Sequence, residues 1–180
     1  MIIIPSFIRG WVTAKKIRPI RAKFSGDVAD KSIIPKLLIR TLEGLEDMKS
    51  PAVICLGEAG DIWQQTADKL LKKYIVTGFD ADGWLICDPK PENEVDAFEV
   101  PDDFFGEAGK GYTKPFPDDR AYNMGDFCIE GLWGDTGYPA FGKNIQWGSK
   151  GDFICRNKTD PNDVWVVRKT FFNNTYTILT

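Results

Sequence analysis

Apolar and polar positions follow two different periods along this chain. Residues 14–24, Ala-Lys-Lys-Ile-Arg-Pro-Ile-Arg-Ala-Lys-Phe, alternate apolar with basic, which is the period of a half-buried strand. That reading turns Ile17, Ile20, Ala22 and Phe24 inward and the bases outward. Pro19 has no N–H to give a ladder, so the strand belongs near an edge. Ser25-Gly26-Asp27 ends it. Over residues 30–47 the period changes. Ile33, Ile34, Leu37, Leu38, Leu42 and Leu45 recur at helical steps, which predicts a helix with Pro35 in its first turn. Residues 52–56 and 84–87 are continuous apolar runs of strand length. Thr66 is a suitable N-cap for a short helix over 67–74, with Asp68 in its first turn. Residues 152–156 and 164–168 predict a hairpin.

A short pattern occurs twice. Gly57-Glu-Ala-Gly60-Asp61-Ile62-Trp63 is followed by Leu70-Leu71 and Tyr74; Gly148-Ser-Lys-Gly151-Asp152-Phe153-Ile154 is followed by Phe171-Phe172 and Tyr176. Self-similarity of this kind bounds an architecture before any single residue does. The expected fold class is α+β: mostly antiparallel sheet with one or two short helices per unit, as two related units in tandem. The expected division is an N-terminal arm or edge strand (1–13), a first unit (14–100), an acidic Pro/Gly-rich linker or insertion (101–119), and a second, smaller unit (120–180).

Composition supports a packed core, with 43% hydrophobic and 13% aromatic residues. Net charge is only -3, so no global field points to nucleic acid. The charge is uneven. Residues 1–23 carry Arg9, Lys15, Lys16, Arg18, Arg21 and Lys23 and no acid, while 88–135 are strongly acidic. The basic stretch reads as a solvated strand face or as a docking surface for an acidic partner.

The chain has no histidine. Ser-His-Asp and Cys-His catalysis within it are therefore excluded, as are mixed Cys/His zinc sites. Cys55, Cys87, Cys128 and Cys155 each lie in an apolar run, and none forms a C-x-x-C pair. They read as small buried hydrophobes, free and unbridged, which suits a reducing cytoplasm. The apolar start lacks the basic flank of a signal peptide, and Pro5 interrupts it too early for a spanning helix.

Few residues remain that carry chemistry. Asp61 and Asp152 each follow a glycine, where a carboxylate either satisfies local backbone N–H groups or lines a ligand-binding nest. Trp133, Tyr138, Trp147 and Trp165 are the aromatic binding candidates, of the kind that anchors interfaces, with core packing as the plainer reading. Asp80-Ala-Asp82 has the spacing of a cation-holding pair and also of a tight turn. No cofactor is expected.

Residues 19–27, Pro-Ile-Arg-Ala-Lys-Phe-Ser-Gly-Asp, then Gly60-Asp61-Ile62 and Tyr74, resemble small uncharacterised proteins of phages and prophages. Those carry an opening strand, a Pro-Gly-Asp-aromatic-Ile strand and a closing Tyr. Lys150-Gly-Asp-Phe-Ile through Tyr176 is the closer match. Position 59 is Ala and position 150 is Lys where that pattern has Pro. The resemblance implies a phage-type setting and a compact α+β module, and it carries over no site residues. The expected function is thus a non-catalytic binding or interaction protein. Its expected partner is a protein, with a small ligand as the other reading; neither membrane nor nucleic acid is expected. The rival readings are a carboxylate- and divalent-cation-dependent hydrolase and a single-stranded nucleic-acid binder.

Overall fold

The computed structural model describes residues 1–28, 38–40, 45–47, 51–116, 125–132 and 144–180. In chain order the strands and helices are β1 (Ile2–Ile3), β2 (Val12–Lys16), β3 (Ile20–Phe24), α1 (Ser25–Val28), β4 (Leu38–Arg40), β5 (Leu45–Asp47), β6 (Val53–Gly57), β7 (Ile62–Gln65) and α2 (Ala67–Lys73). Then follow β8 (Tyr74–Phe79), β9 (Leu85–Pro89), β10 (Glu94–Glu99), β11 (Thr113–Lys114), β12 (Phe127–Gly131), β13 (Asn144–Gly148), β14 (Phe153–Asn157), β15 (Val164–Val167), α3 (Lys169–Thr175) and β16 (Tyr176–Ile178). The class is α+β, with mostly antiparallel sheets.

Two five-stranded sheets follow one plan. The first runs β7-β6-β3-β9-β8 and the second β15-β14-β10-β2-β16. In each, a hairpin (β6–β7 or β14–β15) leads into a seven-residue helix. That helix delivers the chain to the strand at the opposite edge. From Asp61 to Val76 each residue has its counterpart 102 positions on, so Asp61-Ile62-Trp63 corresponds to Asp163-Val164-Trp165 and Tyr74 to Tyr176. The cross-strand pairs agree: Cys55 lies opposite Trp63 and Cys155 opposite Trp165, while Ala22 faces Cys55 and Ala97 faces Cys155.

The cores match position by position. The first holds Ile20, Ala22, Val53, Cys55, Leu70, Tyr74 and Cys87. The second holds Val95, Ala97, Phe153, Cys155, Phe172 and Ala14, with Tyr176 packed against it. All four cysteines are free and buried.

The two sheets exchange one strand. β2, which precedes β3 in the chain, pairs with β10 and β16 of the second sheet. β9, which precedes β10, pairs with β3 and β8 of the first. Neither sheet is complete without a strand adjacent in sequence to the other. The expected ranges 14–100 and 120–180 therefore do not map one to one onto the sheets.

A smaller sheet, β11-β1-β12-β13, covers the second sheet's other face. Ile3, Phe127 and Ile129 pack there against Ile154, Val164 and Val166. β1 is not at an edge: it sits between β11 and, in parallel, β12. The stretch expected as a linker adds Phe104 and Tyr112 to this core.

Several expectations are corrected. Residues 14–24 are not one edge strand. They form β2 and β3, which lie in different sheets, and Pro19 sits in the crossover between them. Ile17 and Phe24 are exposed while Lys16 is buried. Where a helix was expected over 30–47, Leu38–Arg40 and Leu45–Asp47 pair as antiparallel strands; the rest of that stretch lies outside the described residues. The apolar run Leu37-Leu38-Ile39 fits either period, so spacing alone does not decide it.

The two Gly-Asp turns also differ in place. Gly60 and Gly151 both have left-handed φ, at 85° and 88°, which glycine adopts without strain. Yet Gly60-Asp61 closes the β6–β7 hairpin, whereas Gly151-Asp152 precedes β14. The structural counterpart of Asp61 is Asp163.

Candidate functional site

Between the two five-stranded sheets lies a partly open cavity of about 140 Å³. Counterpart residues line it from both halves: Asp61 and Asp163, Trp63 and Trp165, Tyr74 and Tyr176. The plan explains this. Each Asp-x-Trp segment opens the hairpin's second strand, and each Tyr follows one turn after the buried Leu70 or Phe172. The helix and its closing strand thus turn the same side chains inward in both halves.

Buried polar groups concentrate here. Lys16, Gln64, Gln65, Asn93, Gln146, Asp163 and Thr175 are all buried, and all line this cavity. Burying polar groups is costly unless they are satisfied, and most are. Lys69 Nζ reaches across from α2 to Asp163 Oδ2 at 2.8 Å, and Asn157 Nδ2 donates to the same oxygen. Gln146 Oε1 accepts from the backbone N–H of Val166 at 2.9 Å, filling a free position on the edge strand β15. Gln65 Nε2 donates to Cys55 Sγ at 3.2 Å.

Lys16 is the cross-piece. Exposed to only 8%, it leaves β2 in the second sheet and places its ammonium 4.4 Å from the Trp63 ring centroid of the first. Tyr74 and Tyr176 stand at 5.8 and 5.6 Å. Burial opposes its charge, while the phenols of Tyr74 and Tyr176 and the carboxylate of Asp61 favour it. The balance lies above the usual lysine value, so Lys16 is an ammonium at neutral pH, stabilised by aromatic faces. Burial pushes both tyrosines upward, so they are neutral phenols. Lys73 Nζ lies 5.0 Å from the Trp165 centroid. Burial pulls Lys73 below the usual lysine value; Asp163 opposes this, and Lys69 and Lys16 add to it.

Among the groups lining the cavity, Asp61 Oδ1 is buried without a hydrogen-bond partner, and Asn93 Nδ2 makes no bond of good geometry although its side chain stands against the Tyr74 hydroxyl. Both residues line the cavity. Asn93 lies in the crossover between β9 and β10, and its backbone carbonyl accepts from Lys16 N. Asp61 Oδ1 is packed against Gly57, where an added Cβ would clash with it.

The residues singled out from sequence divide sharply. Asp61 and Trp165 line the cavity. Asp152 does not: its carboxylate accepts from Ser149 N and Lys169 N, at 2.8 and 2.9 Å, closing its own turn and capping α3. Trp147 is buried in the small sheet's core, beside Phe116. Asp80 Oδ1 accepts from Asp82 N and Trp84 N, and its other oxygen meets Arg21 at 3.2 Å. The Asp80-Ala-Asp82 pair thus serves a turn. Among the described residues no group of three or more His, Cys, Asp or Glu could hold a metal ion. Trp133 and Tyr138 lie outside the described residues.

Sequence reasoning missed Lys16, Trp63, Lys69, Lys73, Tyr74, Asn93, Asp163 and Tyr176. A signal for half of them was present. Asp61-x-Trp63 and Asp163-x-Trp165 stand at the spacing that also relates Tyr74 to Tyr176, but the Gly-Asp pairs drew the alignment elsewhere. Among the described residues no helix is long and apolar enough to cross a membrane. Comparison with protein-family models, curated proteins and solved structures found no match to this chain.

Proposed function

We propose that this is a non-catalytic binding protein whose site is the cavity between its two five-stranded sheets. The observation that carries this reading is the cavity itself: Lys16, Gln64, Gln65, Asn93, Gln146, Asp163 and Thr175 are all buried yet line one space between the two sheets. Lys16 and Lys69 span the halves and hold the walls in place, so the site is pre-formed. Among the described residues no nucleophile–base pair lines the cavity, which favours binding over turnover. The resemblance to phage and prophage modules supports a mobile-element setting, and four buried free thiols suit a reducing compartment such as the cytoplasm.

The test is a thermal-shift screen of the full chain against small metabolites, with Asp61→Asn and Asn93→Ala in parallel. A ligand should raise the wild-type melting temperature and lose that effect in either variant. A hit whose shift is equal in all three proteins would place binding elsewhere.

A further inference from the structure

We infer that β8 is a self-association edge: in solution, β8 of one copy of this chain pairs antiparallel with β8 of a second copy, joining their first sheets into one continuous sheet.

An edge strand offers its outward backbone groups to any strand that fits, and proteins blunt such edges with short strands, charge, proline or a cover. The other edges of the two large sheets are blunted. β7 and β15 both line the cavity between the sheets, and β16 is three residues long. β8 has six residues, Tyr-Ile-Val-Thr-Gly-Phe, with neither charge nor proline among them. Among the described residues no strand pairs with its outer side. Lys90 N donates to Lys73 O, and Asp80 N to Trp84 O. Antiparallel bonding alternates along a strand, so the N–H and C=O groups of Val76 and Phe79 point away from β9. Thr77, between them, is the extra residue of a bulge against β9, and it divides this edge into two short stretches.

Large apolar side chains gather at the same edge. Ile75 and Phe79 are exposed to 50% and 71%. By register, Val76 and Phe79 share the sheet face of Cys87 and Ala22, and Phe24, two residues after Ala22, lies on that face too. All three are exposed, at the end of the sheet that α2 leaves uncovered. Patches of this kind mark interaction sites, and edge pairing runs one copy's patch into the other's. Charge order selects the partner. Exposed Lys72 precedes β8 and exposed Asp82 follows it. An antiparallel pair of identical strands brings each lysine end against the other copy's aspartate end, twice over by two-fold symmetry. A parallel pair would set like charges together. β8 and its flanks are thus complementary to themselves.

The experiment is sedimentation velocity of the full chain over a wide range of concentration, with circular dichroism as the check on folding. Wild type should pass reversibly from monomer to dimer, and added salt should weaken the dimer. Val76→Lys places a charge on the open edge and should weaken the dimer at least about tenfold. Lys72→Glu sets acid against acid and should weaken it several-fold. Lys72→Glu combined with Asp82→Lys should restore it, since the swap returns opposite charges to both ends. All three positions are exposed, so the variants alter pairing and leave the core intact. Wild type that stays monomeric throughout overturns the proposal. So does a dimer that Val76→Lys leaves intact, or one lost in Ile178→Lys instead, which would place the contact on β16. A dimer broken by Lys72→Glu and not restored by the swap overturns the antiparallel self-pairing.

Discussion

The first and second five-stranded sheets use the same positions for different ends, while lining one cavity with counterpart residues. In the second sheet, Phe172 lies between Phe153 and Tyr176, with ring centroids 3.7 and 4.8 Å away. The first has Leu70 in that place, beside Val53 and Tyr74. The second sheet's Asp163 is bonded to Lys69 and Asn157; the first sheet's Asp61 keeps an oxygen unpartnered. The second sheet is covered on its other face by the small sheet, whereas Phe24, Ile75 and Phe79 of the first remain exposed. One half is built for packing. The other leaves one face open, and both contribute polar side chains to the space between them.

The largest test concerns the matched core positions. Phe172→Ala should cost roughly 3–5 kcal/mol and Leu70→Ala roughly 2–5 kcal/mol, with Phe172 the costlier because it also loses two stacked rings. Because β2 and β9 are exchanged, each variant should unfold in one transition by circular dichroism in urea. A second-sheet variant that melts in two steps, with the first sheet surviving, would show that the exchange does not couple the halves. Equal costs would show that stacking adds nothing beyond burial.

A second test uses pH. Burial pushes the Cys55 and Cys128 thiols up to about 12 from an ordinary value of 9.0. Below about pH 9 these thiols are neutral in both folded and unfolded chains, and their contribution to stability is fully present. Above that pH the unfolded chain ionises and the folded chain resists, so stability falls as pH rises toward 12. Each such thiol should steepen the loss by up to about 1.4 kcal/mol per pH unit within that window. Urea midpoints at pH 8, 9 and 10 should show the downturn, and Cys128→Ala should flatten it. An unchanged slope in that variant would assign the downturn to other groups.

The same comparison bears on Cys55 and Cys155, which hold equivalent places opposite Trp63 and Trp165. Gln65 Nε2 donates to Cys55, whereas the counterpart of Gln65 is Val167. Serine at position 55 finds a polar partner; serine at 155 buries a hydroxyl among apolar groups. Cys155→Ser should therefore cost roughly 1–3 kcal/mol and Cys55→Ser roughly 1 kcal/mol less. Chemical denaturation measures both, and the reverse order would break the equivalence.

The fold class was legible because short apolar runs separated by Gly, Pro and Asp leave little but antiparallel sheet, and because Thr66 and Asp68 mark α2 locally. The closing tyrosines and the buried residue of each Leu70-Leu71 and Phe171-Phe172 pair were legible for the same reason. The strand exchange was not. Ile17-Arg18-Pro19 joins β2 to β3 with too few residues to announce that they part company, and partner choice between equivalent strands is a non-local matter. Nor was the site. Lys16 alternates with apolar neighbours like any surface lysine, and only the sheet opposite it, bringing Trp63, makes it buried. Asn93 has no sequence signature at all.

The finest test compares the two counterpart aspartates. Asp163 is 6% exposed and accepts a charge-assisted bond from Lys69 at 2.8 Å. Asp163→Asn keeps the shape and loses the charge, so it should cost roughly 1–2 kcal/mol. Asp61→Asn removes charge from a carboxylate whose Oδ1 is bonded to nothing. Its change should stay within about 0.5 kcal/mol of wild type, in either direction. Urea unfolding of the two variants beside wild type resolves the gap. The opposite result, Asp61→Asn costing more than Asp163→Asn, would mean that the charge of Lys16 depends on Asp61 more than on the rings around it. In that event Asp61 is a strut for Lys16, and the orphaned oxygen is the by-product of holding a buried ammonium.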